Sequence, residues 1–269
     1  MFKINTKKIT YIYLFFILLF IYLPIVSLII FSFNETEGRI ASLIHFDKFG
    51  FKWYLKILKD EAIKSSIFVT FQIAFLSTII STILGTLGAI SLMNYKKKWR
   101  NFILDANQFS IIIPEIINAL ALFVLFSFIG LKSGFWRMLL AHISFSTPYV
   151  LIYVYNKCFL LETDLIEAAS DLGATPSQTL IKIILPQLKN TMLTSAGIAF
   201  ALSFDDFIIS YFAGGSDYQN ISAYIYSLKG TINPSINALS SILILILLSK
   251  IIIDFIKLRK KNKQKCKKK

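Results

Sequence analysis

The sequence predicts an all-α membrane protein with six transmembrane helices. Three observations predict it. Apolar residues are gathered into long runs, those runs hold few charges, and the basic residues lie between and after them. The 269-residue chain is 55% hydrophobic and 15% aromatic, with a mean hydropathy of +0.65. Soluble domains stay nearer about 45–50% apolar, and a helix needs roughly 20 apolar residues to cross a bilayer.

The spans fall at about 9–33, 66–93, 102–129, 138–155, 191–213 and 232–256. The first follows Lys3, Lys7 and Lys8 and resembles a secretion signal. Its apolar run is too long for one and no small-x-small cleavage site follows, so it reads as a membrane anchor kinked at Pro24. The second carries no charge between Lys64 and Lys96, and its small residues Thr82, Gly85, Gly88 and Ala89 suit close helix packing. The third contains Pro114 and Glu115, the fourth is interrupted by Pro148, and the fifth contains Asp205 and Asp206. In the sixth, Lys250 and Asp254 stand four residues apart and pair with each other. Neither an internal repeat nor a flexible linker divides the chain, so residues 1–269 read as a single membrane domain.

Loop charge sets the orientation. Nineteen Lys/Arg fall on the side holding the N-terminal tail, residues 94–101, the 157–190 loop and the C-terminal tail, against nine on the other side. Both termini are therefore expected in the cytoplasm. The 34–65 loop fits least well, with six cations set against Glu35, Glu37, Asp47, Asp60 and Glu61. Of the 29 Lys/Arg, nine lie in the basic tail 257–269. A tail placed there after an apolar segment is an anchor at anionic lipid, so the net charge of +14 does not indicate nucleic acid. Cys158 and Cys266 read as ordinary thiols, and His45 and His142 lack metal-ligand spacing. No HxxxH, HExxH, GxSxG or GxxxxGK[ST] occurs. No catalytic residue, metal site or cofactor is expected, and His142 with Ser144 or Ser146 reads as a packed polar cluster rather than the core of an intramembrane enzyme.

The 157–190 loop is the most informative segment. Residues Leu161–Leu172 favour a helix, with Glu162 and Asp164 in its first turn and Gly173 as its left-handed stop. Thr175 then supplies an N-cap, Pro176 the first helical position and Gln178 the capping-box partner of a second helix, Pro176–Leu185, ending before Pro186. A chain needs no polar helical pair to remain in a membrane. It needs one to touch something outside it.

Within this loop Glu167, Ala168 and Ala169 are followed after three residues by Gly173 and after nine more by Ile183, Leu185 and Pro186. This pattern resembles the signature loop of ABC importer permease subunits. The resemblance implies a type I ABC importer permease (MetI-like) architecture in the cell membrane. It also implies that the loop docks into a cleft on a cytoplasmic ATPase dimer, beside a second homologous permease and an extracytoplasmic binding protein. Ala168 and Ala169 would permit close approach, Glu167 would offer an anchoring carboxylate, and Gly173 would permit the sharp turn. A passive channel would not need such a loop.

Ionisable residues inside a span are costly and mark function. Asp205 and Asp206 lie 14–15 residues beyond Thr191, roughly 21 Å into the bilayer at 1.5 Å per residue. Glu115 lies at a similar depth in the third span, just after Pro114, whose missing N–H frees backbone carbonyls. Phe204, Phe207, Tyr211 and Phe212 flank the aspartates, and carboxylates beside ring faces suit a cationic amine. On one helix the two aspartates would point about 100° apart. One faces the pathway while the other caps or pairs with a neighbouring helix, and which does which stays open. SFDDFIISYFAGG (203–215), the following AYIYSLKGTINPSINALSSILIL (223–245), PEIINALAL (114–122) and FKWYLKIL (51–58) resemble the spermidine/putrescine group of these permeases. That implies a polyamine-binding protein as the external partner. Importers of iron, thiamine or phosphonate share much of this framework and remain the alternative.

Overall fold

A computed structural model describes residues 6–35, 45–161, 163–228 and 234–267. Among the described residues the regular elements are helical. They are α1 (Thr6–Phe31), α2 (Lys52–Ile57), α3 (Glu61–Met93), α4 (Lys97–Ile112), α5 (Glu115–Phe128), α6 (Phe135–Cys158), α7 (Thr163–Asp171), α8 (Pro176–Thr179), a π-helical turn (Leu180–Ile184), α9 (Leu185–Asp205), α10 (Ile208–Gly214), α11 (Ile221–Ser227) and α12 (Pro234–Lys267). They fall into two compact units, one from residues 1–64 and 227–269, the other from 65–226. The side chains of Lys250 and Asp254, Glu162 and the last residues of the basic tail lie outside the described residues.

The spans differ from expectation in instructive ways. Among the described residues three helices are long and apolar enough to cross a membrane alone: Thr10–Phe31, α3 and α6. Counting each bent pair as one crossing brings the number to at most five among the described residues. The expected third span is not one helix. It breaks between α4 and α5 with a turn of 108°, because Pro114 disfavours helical backbone at the residue before it. Ile113 is accordingly extended, with ψ 135°. The expected interruption at Pro148 does not occur, and α6 runs through it. Thr147 Oγ1 and Ser81 Oγ both donate to the Ile143 carbonyl in the preceding turn, and Asn107 Nδ2 donates to the Pro148 carbonyl. The fifth span is also bent, by 64° between α9 and α10.

In the smaller unit, Asn34 organises the chain after α1. Its side chain donates to the His45 carbonyl and accepts from the Asp47 N–H, while its own carbonyl accepts from Trp53 Nε1 in α2. Ser32 Oγ bonds Tyr54 Oη at 2.6 Å and accepts from Ser241 Oγ of α12. From Tyr11 to Leu23, α1 presents nearly all its large apolar side chains to the surroundings. A helix apolar all round and uncovered is suited to a lipid bilayer rather than to water.

The larger unit holds the core. α3 begins in the smaller unit, where Asp60 caps it through the N–H groups of Ala62 and Ile63. Ile73, Met138, Phe145 and Ile209 join α3, α6 and α10 in one apolar cluster, and Ala89, Val150, Val154 and Leu188 join α3, α6 and α9 in another. The small-residue stripe of α3 permits this approach. A Cβ on Gly85 would stand 2.7 Å from Val150 Cβ. Arg137 is buried at the start of α6, where Nη2 donates to the Phe123 carbonyl and to Ser127 Oγ and Nη1 donates to the Leu131 carbonyl. Its guanidinium lies 4.6 Å from the Phe123 ring centroid. A cation there meets the negative end of the α5 dipole and ties α6 to it.

Candidate substrate pathway and coupling loop

The bend between α9 and α10 is built by an aspartate. α9 ends at Asp205, and Asp206 is extended with φ −59° and ψ 133°. Its carboxylate turns forward, accepting from the N–H of Ile209 at 3.1 Å and of Ser210 at 2.7 Å, and from Ser210 Oγ at 2.6 Å. Aspartate competes for local backbone in this way and is poorly suited to a helix interior. Asp205 and Asp206 therefore do not share one helix, and the 100° separation read from the sequence does not apply. Asp206 is buried while Asp205 is exposed.

Both carboxylates line a cavity of about 460 Å³ together with Glu115, Phe145, Phe207 and Ile208. Glu115 is the first residue of α5, placed there by the Pro114 turn, with its carboxyl beside that of Asp206. Three acidic groups and two aromatic rings at one partly open cavity favour a cation. Phe204 and Tyr211 are not part of this lining. Phe204 packs on Phe71 and Phe200, at 5.2 and 5.5 Å between centroids. Tyr211 joins Phe207 and Tyr226 in a ring cluster, with Phe207 and Tyr226 4.7 Å apart. Phe212 packs on Phe123.

Behind the cavity runs a buried polar network. His142 Nδ1 lies 2.8 Å from Ser203 Oγ, and its Nε2 lies 2.9 Å from Ser210 Oγ and 3.5 Å from Asp206 Oδ2. Ser77 Oγ reaches Ser203 Oγ at 3.0 Å, and Asn220 Nδ2 donates to Ser210 Oγ at 2.9 Å and to the Asp206 carbonyl. Next to it Thr70 Oγ1 accepts from the Ile221 N–H, and Tyr218 Oη donates to Gln72 Oε1. Burial pushes the Tyr218 phenol above its ordinary value.

The 157–190 loop forms a compact helical pair. α7 is shorter than the predicted Leu161–Leu172. It closes with the N–H of Gly173 on the Ser170 carbonyl and that of Ala174 on the Ala169 carbonyl, Gly173 having φ +76°. The Thr175 side chain accepts from the Gln178 N–H, and Gln178 Oε1 accepts from the Thr175 N–H, completing a capping box. The second helix does not end before Pro186. The π turn, which contains Ile183, carries the chain from α8 into α9, where Leu185 and Pro186 are the opening residues. Pro186 has no N–H to donate, and the helical run Pro176–Asp205 continues past it. Glu167 and Ala168 are exposed on α7, whereas Ala169 is buried.

Residues 81–262 match the family described as binding-protein-dependent transport system inner membrane component. The chain belongs to this family. It is thus a membrane permease, a transport subunit rather than an enzyme, and ATP hydrolysis is the work of a separate subunit. The spermidine/putrescine transport system permease protein PotC of Haemophilus influenzae is 30% identical over 251 residues, covering 93% of this chain and 96% of that protein. PotC of Escherichia coli K12 is 32% identical over 245 residues, 91% of each chain. A bacterial ABC transporter involved in import of the acidic polysaccharide alginate has a chain with the same fold, at a TM-score of 0.66 and 16% identity, covering 96% of this permease and 99% of that chain.

The structure of the permease brings Glu115, Asp205, Asp206 and Phe207 together and leaves Phe204 and Tyr211 elsewhere. His142 lies in a packed polar cluster, as expected, but its partners are Ser203 and Ser210 rather than Ser144 or Ser146. Those partners lie 61 and 68 residues away, beyond any local pattern.

Proposed function

We propose that this permease forms the translocation pathway of an ATP-driven importer of polyamines such as spermidine and putrescine. The observation that carries the reading is the cavity lined by Glu115, Asp205 and Asp206. A flexible polycation is complementary to several carboxylates at one site, whereas a phosphonate would meet charge of its own sign. The names of the PotC relatives support the same substrate class. In this reading the whole chain acts as one membrane domain with six crossings and both termini in the cytoplasm. Asp205, Glu115 and Phe207 contact the ammonium groups as they pass. Phe204 and Tyr211 act from the surrounding ring clusters.

The loop 161–186 is the coupling element. The exposed face of Glu167 and Ala168 docks on a cytoplasmic ATPase dimer, Ala169 and Gly173 shape the pair, and Ile183, Leu185 and Pro186 join it to α9. A second homologous permease completes the pathway, and an extracytoplasmic polyamine-binding protein delivers the substrate. Closure of the ATPases would shift the loop and alternate the access of the cavity.

Uptake of labelled spermidine into cells expressing the complete transporter tests the substrate. Deletion of this chain should abolish it, and undiminished uptake would overturn the reading. Glu167→Lys should remove the ATPase from the purified complex while membrane insertion persists. Retention of a fully coupled ATPase would exclude the docking role.

A further inference from the structure

We propose that His142 is a positioning residue, a brace across the bend between α9 and α10 that sets where the Asp205 carboxylate stands in the acidic cavity. The proposal rests on the reading of that cavity as the substrate pathway. The imidazole belongs to α6, but its two nitrogens reach the two sides of the bend. Nδ1 meets Ser203 in the last turn of α9, and Nε2 meets Ser210 in the first turn of α10. Asp205 and Asp206 lie between these two attachment points.

Hydrogen counting fixes the direction of each bond. Ser210 Oγ has one hydrogen, and its shortest side-chain contact is the Asp206 carboxylate oxygen at 2.6 Å, a pure acceptor. The other two neighbours of Ser210 Oγ must then donate to it. Asn220 does so through Nδ2, because its Oδ1 is occupied by the Ala223 N–H. His142 must carry its proton on Nε2. Nδ1 is left as an acceptor and takes the Ser203 hydroxyl, whose oxygen in turn accepts from Ser77. The imidazole has no exposed surface, and Ser203, Ser210 and Asn220 are likewise buried. A chain of directed bonds in such surroundings is rigid, and an unmade bond within it is costly. A histidine serving only to fill space would need neither nitrogen satisfied from opposite sides of a bend.

Two substitutions each keep one arm. His142→Asn retains an amide oxygen near the place of Nδ1, and His142→Gln retains an amide donor near the place of Nε2. Two readouts are taken on the complete transporter. The first is hydrogen exchange in the 207–215 segment, which needs no substrate. The second is the split of spermidine uptake into KM and Vmax per assembled complex. A brace requires both arms, so each variant should speed exchange of the Ile209 and Ser210 amides about tenfold. Each should also raise KM about tenfold with Vmax within about twofold. Unchanged exchange overturns the proposal, and so does an unchanged KM with a lowered Vmax, the signature of a purely structural residue. If either variant fails to accumulate, Ser203→Ala and Ser210→Ala remove the same arms singly and are judged by the same criteria. If the unsubstituted transporter takes up no spermidine, the polyamine reading fails by itself and exchange alone decides the brace.

Discussion

Two neighbouring aspartates stand in different surroundings in this permease. Asp206 is buried and holds two backbone N–H groups and a hydroxyl, whereas Asp205 is exposed at the cavity. Asp206→Ala should therefore destabilise the purified complex by about 1–3 kcal/mol, the cost of leaving buried donors unsatisfied, seen as a lowered unfolding temperature. Asp205→Asn should leave that temperature within about a degree while reducing spermidine uptake severalfold. Equal stability losses in the two variants would contradict the division. The sequence displayed both carboxylates and, through Gly173 and Thr175–Gln178, nearly all of the loop's local chemistry, because caps and turns are written in adjacent residues. It could not display which aspartate caps, since that follows from a bend whose partners include Asn220 and a histidine on another helix.

At the scale of elements, the prolines are the clearest lesson. Pro114 breaks a span by 108°, Pro148 leaves α6 continuous, and Pro186 sits in the opening turn of α9 after a π turn. A proline removes one donor wherever it stands. Whether the helix yields depends on what lies around it, here the adjacent Thr147 together with Ser81 and Asn107, which come from other parts of the chain. The small-residue stripe of α3 was legible and has a direct structural counterpart at Gly85. Gly85→Val places atoms where Val150 Cβ is already 2.7 Å from a first carbon. Overpacking of this kind costs about 1–3 kcal/mol, so thermal unfolding of the variant complex should occur several degrees lower, and partial recovery with Val150→Ala would locate the clash. An unshifted transition in Gly85→Val would show that α3 and α6 are not packed this closely.

For the whole molecule, hydropathy and the loop motif were enough to indicate a helical permease, whereas the crossings were blurred. Two of the expected spans are bent pairs. The proposed topology makes opposite loops react from opposite sides. With Cys158 and Cys266 replaced by serine, a membrane-impermeant thiol reagent applied to intact cells should label Asp217→Cys and spare Ser170→Cys, and the pattern should reverse in inverted vesicles. Labelling of both from one side would require a different path through the membrane. The helical run from Pro176 to Asp205 also has a mechanical meaning. It is a rod about 45 Å long at 1.5 Å rise per residue, so a tilt of about 5° pivoting at its loop end sweeps Asp205 through about 4 Å. In the proposed pathway such gearing would let a slight rocking at one end carry a carboxylate out of reach of an ammonium bound at the other, with no need for either end to unfold.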